Sequence, residues 1–279
     1  MFYIRELQKF IPNHPVIPSM EAFLIRWENI PIIEGQIFVR LEAKLREAIA
    51  AAENFNPLDP RDEDAVFFEL ATRGLLAEYY AENNKYFEAI TEANKMYSLI
   101  KTGFDLVKDN PEFLFTTGLY NYFRIMYPQK HPIFAPIAFF FKKGDKELGL
   151  EQMLMSTEKA VISQIEASIY LSYIYLRYEQ TPEIAFVLLQ DLIKRYPSNQ
   201  YLISKFLELI VIDNVSFIST TTLPSPLSIP VVGPSCVLIS NGFVLNVGVI
   251  AYPISTVLEI PLKSDTLTVP FDAIVLVPK

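Results

Sequence analysis

Apolar residues recur three or four positions apart along most of the first 212 residues, in runs separated by short polar or proline-bearing breaks. That spacing predicts a succession of amphipathic helices. The stretch Glu166–Pro197, EASIYLSYIYLRYEQTPEIAFVLLQDLIKRYP, organises the rest. Its first half puts Ile169, Tyr173 and Leu176 on one stripe and Tyr170, Ile174, Arg177 and Tyr178 on the next, a helix expected to meet neighbours on two sides. Thr181-Pro182-Glu183 predicts the start of a second helix, with Thr as cap, Pro at the first helical position and an acid at the positive end of the dipole. Ala185, Leu188, Leu189 and Leu192 then turn inward, and the helix stops at Tyr196-Pro197.

These residues resemble a tetratricopeptide (TPR) repeat, a helix-turn-helix unit of about 34 residues with small residues where its helices cross and Pro at its end. With Pro197 at the last consensus position, Ala185 takes the small site and Ile169, Leu176, Leu189 and Leu192 take large apolar sites. Tyr173 departs from the pattern by filling the small site of the first helix. Arg73–Met96 is the better match, with Leu76, Ala77, Tyr80, Tyr86, Ala89, Ala93 and Met96 at the corresponding positions. Residues 110–201 also resemble a group of long bacterial TPR proteins. The resemblance implies a noncatalytic scaffold that holds a protein or peptide partner in a concave groove lined by the first helix of each pair. Carried over residue by residue, it places Glu78, Glu82, Tyr120, Arg124, Tyr170, Arg177 and Tyr178 along that surface. For each tyrosine, packing between helices with only the hydroxyl at the surface is an equal alternative.

The same pattern extends through the remaining helices. Phe2–Ile11 followed by Pro12-Asn13 reads like the second helix of a repeat and its terminating turn, so the chain is expected to begin inside a repeat, either as a fragment of a longer protein or with a capping helix. Residues 15–30 and 34–55 predict a helix pair whose second member aligns Ile37, Leu41, Leu45, Ala48 and Ala52 on one face. Trp27, four residues after Phe23, is expected to anchor the core beneath the first helix rather than stack on a ligand. Asp59-Pro60-Arg61-Asp62 predicts a helix start, and the acids Asp62, Glu63 and Asp64 read as complements of its dipole rather than a metal site. The second helix of that pair is expected to reach about residue 108, and an aromatic helix follows over 111–128. Residues 128–144 then carry three prolines and the apolar run 133–141, read as an insertion folded back over the array in preference to a membrane-surface foot. Asp145 predicts the cap of a helix that pairs with the aromatic one. The small residues Ala48, Ala89, Gly149 and Ala185 are unevenly spaced, so the array is expected to be TPR-like with long helices, and residues 199–212 are expected to close it.

After Asp213 the pattern changes. Residues 217–279 hold five charged residues and eight prolines, with no helical period, and Asn241-Gly242 between two apolar runs predicts a hairpin. The segment is either a separate β module or an out-of-frame or foreign continuation. The expected fold is therefore mainly α, a TPR-like helical-hairpin solenoid over residues 1–212 followed by a β-rich or irregular segment over 213–279.

Composition narrows the function classes. A net charge of −8 argues against nucleic acid as a partner. One cysteine provides no internal disulfide, and two histidines, His14 and His131, each before a proline, read as turn residues. No nucleotide-binding, metalloprotease or nucleophile-elbow motif occurs, so no enzyme activity, cofactor or metal is expected. No basic-then-apolar leader precedes the first helix, which makes the cytoplasm the default compartment, with the periplasm or envelope expected if the chain is a fragment. The alternative function is an accessory part of a bacterial cell-envelope assembly touching membrane or a barrel protein.

Overall fold

The computed structural model describes residues 1–30, 33–130, 132 and 141–212, with only the backbone for 210–212, and the backbone of 236–240 and 243–247. It is mainly α, with ten helices among the described residues: α1 (Phe2–Phe10), α2 (Val16–Asn29), α3 (Gly35–Glu53), α4 (Glu63–Glu82), α5 (Tyr86–Leu106), α6 (Phe113–Lys130), α7 (Lys146–Lys159), α8 (Gln164–Arg177), α9 (Pro182–Arg195) and α10 (Gln200–Ile212). Strands β1 (Cys236–Ser240) and β2 (Phe243–Val247) pair antiparallel, with Ser240 opposite Phe243. The remainder of 213–279 lies outside the described residues, as do 131 and 133–140, so the readings of His131 and of most of the insertion fall there.

The chain divides into two compact units, and the division falls inside α8 rather than at Asp213, where the composition changes. The first holds Met1–Leu171 and the second begins at Ser172. In the first unit α2 packs on α3, α3 on α4, α4 on α5, α5 on α6 and α6 on α7, and α2 also touches α4. The expected stripes supply the core: Leu41, Leu45, Ala48 and Ala52 of α3 are buried, as are Leu76, Ala77, Tyr80, Ala89, Ala93 and Met96 of α4 and α5. Ile37 is only half-buried at the edge of that core, and Tyr86 is not buried at all. It sits at the start of α5, exposed, its hydroxyl donating to Asn84.

Local signals set the helix boundaries. Asp145 caps α7 by accepting the Leu148 amide at 3.1 Å, as its sequence predicts. For α4 the expected start moves by three residues. Asp59 shapes a turn by accepting the Arg61 amide, and Asp62 is the cap, accepting from Ala65. Glu63 and Asp64 are then free to reach other segments, Glu63 to Asn110 and Asp64 to His14. His14 is thus more than a turn residue, because its ring also lies edge-on to Phe55 at 4.7 Å and ties the start of α2 to the end of α3.

The α6–α7 pair shows why small residues are needed at a crossing. A Cβ on Gly149 would stand 2.6 Å from the backbone nitrogen of Tyr122 and 2.8 Å from the Gly118 carbonyl oxygen, so only glycine allows the two backbones this close.

The second unit is described by itself. Its described residues comprise the end of α8, α9 packed on α10, and the hairpin. Pro182 takes the first helical position of α9 as expected, but the Thr181 side chain makes no capping bond, and its hydroxyl is buried without a partner among the described residues. Gln180 adopts φ 55°, and in the first unit Asn84 adopts φ 60°. The two are separated along the chain by the same interval as Ala89 and Ala185, so both helix-turn-helix segments bend at one register position. Along α8 Ala167, Ser168, Leu171, Ser172 and Ile174 are buried, so of the two expected stripes Ile174 of the second is buried while Ile169, Tyr173 and Leu176 of the first are half-exposed. The buried set therefore mixes small Ala and Ser side chains with the large apolar Leu171 and Ile174.

Candidate functional site

In the first unit, the first helices of successive pairs border a cleft. Phe23, Arg26 and Trp27 come from α2, Phe67, Leu70, Ala71, Gly74, Leu75 and Glu78 from α4, and Phe115 and Thr116 from α6. Met96 of α5, a second helix, and Ile162 and Ser163, with Ile165, Glu166 and Tyr170 of α8, complete the wall. The lining is mostly apolar and aromatic, and its charges are concentrated in Arg26, Glu78 and Glu166.

Two long-range attachments hold the α8 wall in place. The Glu112 carboxylate, just before α6, accepts the backbone amides of Val161, Ile162 and Ser163 at 2.7–2.9 Å and the Ser163 hydroxyl at 2.9 Å. These amides precede α8, so an acid from another segment satisfies donors at a helix start and complements its dipole. The second attachment is an ion pair, Arg26 Nη1 to Glu166 Oε1 at 2.7 Å, between α2 and α8.

The charged end of the cleft is crowded. Only 8% of the Arg26 side chain is exposed, and its guanidinium lies 5.2 Å from the Trp27 ring centroid. Burial works against its charge, but Glu166 first, then Tyr79, Glu78 and Tyr170, hold its pKa well above the ordinary arginine value. Glu78 accepts the Tyr170 hydroxyl at 3.2 Å, and the Tyr170 ring packs edge-on to Phe115 at 5.4 Å. Burial raises the Glu78 carboxyl above the usual range. Arg26 opposes the shift and Glu166 adds to it. Glu82, one turn further along α4, still meets solvent, yet desolvation by the surrounding helices and the neighbouring Glu78 push it up to about 7 against the pull of Arg26. The ion pair also leaves Nε of Arg26 and Oε2 of Glu166 buried without hydrogen-bond partners among the described residues.

Of the residues proposed from sequence, the structure brings Glu78 and Tyr170 into direct contact in this cleft and sets Glu82 beside them. Tyr120 and Arg124 point elsewhere. Tyr120 is 1% exposed among Tyr97 and Phe104, donating its hydroxyl to the Lys142 carbonyl at 2.6 Å, and Arg124 donates to the Phe141 carbonyl at 3.4 Å. The reason is helical register: Phe115 and Thr116 face the cleft, whereas Tyr120 and Arg124 face the segment that follows α6. Arg177 and Tyr178 belong to the second unit, where Arg177 pairs with Glu208 at 2.9 Å and the Tyr178 ring packs edge-on to Tyr173.

Sequence reasoning missed Arg26, Trp27 and Glu166 as site residues. Trp27 is not the expected core anchor but a half-buried wall of the cleft. The available signal was Phe23 followed by Trp27 on one face of a first helix, the face that the TPR resemblance turns toward a partner. Among the described residues no group of His, Cys, Asp and Glu is arranged to hold a metal ion, and no helix is long and apolar enough to cross a membrane. No protein-family model, no curated protein and no solved structure matches the chain.

Proposed function

We propose that the chain is a noncatalytic TPR-type scaffold whose first-helix cleft receives a peptide segment of a partner protein. The observation that carries this reading is the joint lining of one cleft by the first helices α2, α4 and α6 together with α8, with aromatic side chains from all four beside a few fixed polar groups. Aromatic residues with arginine are the usual anchors of binding energy, because each offers large contact area with a directional polar end. The rigid attachments through Glu112 and Arg26 favour a preformed groove, which lowers the ordering cost of binding.

The test uses a random dodecamer peptide library displayed on phage and selected against the full chain. Trp27 is the single tryptophan and lies in the cleft, so its emission reports occupancy directly. Enriched peptides are expected to shift that emission and to bind about tenfold or more weakly to a Phe23→Ala, Phe115→Ala variant that keeps its helical circular dichroism. Peptides that bind the variant as well as the wild type and leave Trp27 unchanged would move the binding surface elsewhere.

A further inference from the structure

We infer that the cleft selects one basic side chain, lysine or arginine, of the bound peptide, with its aliphatic stem against the aromatic wall and its charged end on Glu78 beside Glu82. This rests on the peptide-binding reading above and names the chemistry of the occupant.

Size limits the occupant first. The cavity volume is about 120 Å³, room for one long side chain rather than a folded element. An engineered cavity of roughly 150 Å³ holds a benzene molecule, which sets the scale. The walls that a stem would follow, Phe23, Trp27, Phe67 and Phe115, are apolar along their length. Lysine and arginine bury such stems while keeping their charged ends on a polar group, and ring faces attract a cation passing over them.

Charge then selects among long side chains. Arg26 is the one Lys or Arg among the described residues lining the cleft, and it is committed to Glu166 at 2.7 Å. Glu78 receives a hydrogen bond from the neutral Tyr170 hydroxyl, and no ion pair to either Glu78 or Glu82 occurs among the described residues. Glutamate or a terminal carboxylate in this place would face Glu78, Glu82 and Glu166 with Arg26 already engaged. A neutral apolar side chain would leave the two carboxylates as they are. A cation gives both a partner, and the buried Oε2 of Glu166, which lacks a hydrogen-bond donor, offers a further acceptor at the same end. The raised pKa values of Glu78 and Glu82 come first from burial, with a neighbouring carboxylate adding to each and Arg26 opposing without cancelling the shift.

The experiment aligns the dodecamers enriched on the full chain and tests one representative by fluorescence anisotropy. A lysine or arginine is expected at one fixed position, and its replacement by norleucine in the peptide should weaken binding about tenfold or more. The same loss should follow from Glu78→Gln in the protein, with the norleucine peptide insensitive to that substitution, so that a mere folding defect is separated from loss of the charge pair. Enriched peptides that shift Trp27 emission but carry an acid, a free carboxylate or only apolar residues at the anchor would overturn this inference and leave the peptide-binding reading standing. Equal affinity of lysine and norleucine peptides would overturn it as well. Peptides that leave Trp27 unchanged and bind the Phe23→Ala, Phe115→Ala variant normally would remove both.

Discussion

Helix α4 carries two charged regions, and they are built in opposite ways. Around Arg73 every nitrogen of the guanidinium is engaged: Nε with Glu69 at 2.7 Å, Nη1 with Glu92 at 2.5 Å and Nη2 with Glu53, so that α3, α4 and α5 are joined through one side chain that is 3% exposed. Around Glu78, two turns of chain beyond Glu69, the single guanidinium of Arg26 is bonded to one of three nearby carboxylates, and one donor and one acceptor are left over. The first region is saturated and joins three helices, although Glu53, Arg73 and Glu92 also border a cleft of their own. The second is unsaturated and borders open space. A complete buried network fixes geometry, whereas an incomplete one beside a cleft has capacity for another molecule.

The largest expected effect is therefore on the saturated side. Arg73→Met keeps the stem volume but leaves Glu92, whose side chain is 7% exposed, with only the Lys95 ammonium at 3.9 Å in place of the bonded guanidinium. Removing one partner of a buried charge pair costs about 3–5 kcal/mol. Guanidinium unfolding of the full chain should show a loss in that range. A loss under about 1 kcal/mol would mean that the network is not what holds α3, α4 and α5 together.

Glu112 comes next. Substitution by Ala leaves the amides of Val161, Ile162 and Ser163 without their acceptor, and since water reaches this partly exposed loop the expected cost is about 2 kcal/mol. A structural role alone would stop there. Because these bonds also seat the α8 wall, Trp27 emission should change in the variant before any unfolding, and an unchanged spectrum would separate the loop from the cleft.

How much of this was legible in sequence follows from the reach of each signal. Periodicity reports which face of a helix is apolar, so Leu41, Leu45, Ala48 and Ala52 were placed correctly, and a capping acid three residues before an amide is a local pattern, so Asp145 was found. The Glu69–Arg73 contact was legible for the same reason, being one helical turn. Glu53 and Glu92 were not, because they meet Arg73 only after three helices pack. The α4 start misled because Asp59-Pro60 and Asp62 both satisfy capping chemistry, and the turn from Asn56 to Asp62 decided between them. In the cleft, Glu78 and Tyr170 were named from the TPR register, while Tyr120 and Arg124 missed it because α6 turns Phe115 and Thr116 to that side. Arg26 and Glu166 are far apart in sequence, and no spacing rule could pair them.

On the unsaturated side, Arg26→Met should cost less than Arg73→Met although both arginines are buried, about 1 kcal/mol near pH 5. Glu166 is a quarter exposed and can be rehydrated, and Glu78, whose carboxyl burial already raises, can take up a proton when Arg26 is gone. At pH 8 proton uptake is harder, so the variant should lose more stability there than at pH 5. Melting at the two pH values checks this. Equal losses would mean that the carboxylates do not respond to Arg26.

The smallest expected effect is also the most specific. Glu82 has its carboxyl pushed up to about 7, above the ordinary carboxylate range, so the folded chain holds a proton that the unfolded chain has released between those two values. Its contribution is favourable below the unfolded pKa and is lost as pH rises through about 7, because ionisation is resisted only in the folded state. Glu82→Gln has no proton to lose. The variant should therefore melt with the wild type near pH 4 and slightly above it at pH 8, the difference opening between the two pKa values. Because Glu82 still meets solvent, the shift in Tm should be small beside that of either arginine variant. With a lysine dodecamer bound, the carboxylate gains a cation and the wild type should release protons at pH 7, seen as a binding enthalpy that depends on the ionisation heat of the buffer. Glu82→Gln should lose most of that dependence. A wild-type enthalpy that is the same in phosphate and Tris would show that neither Glu78 nor Glu82 meets the ligand.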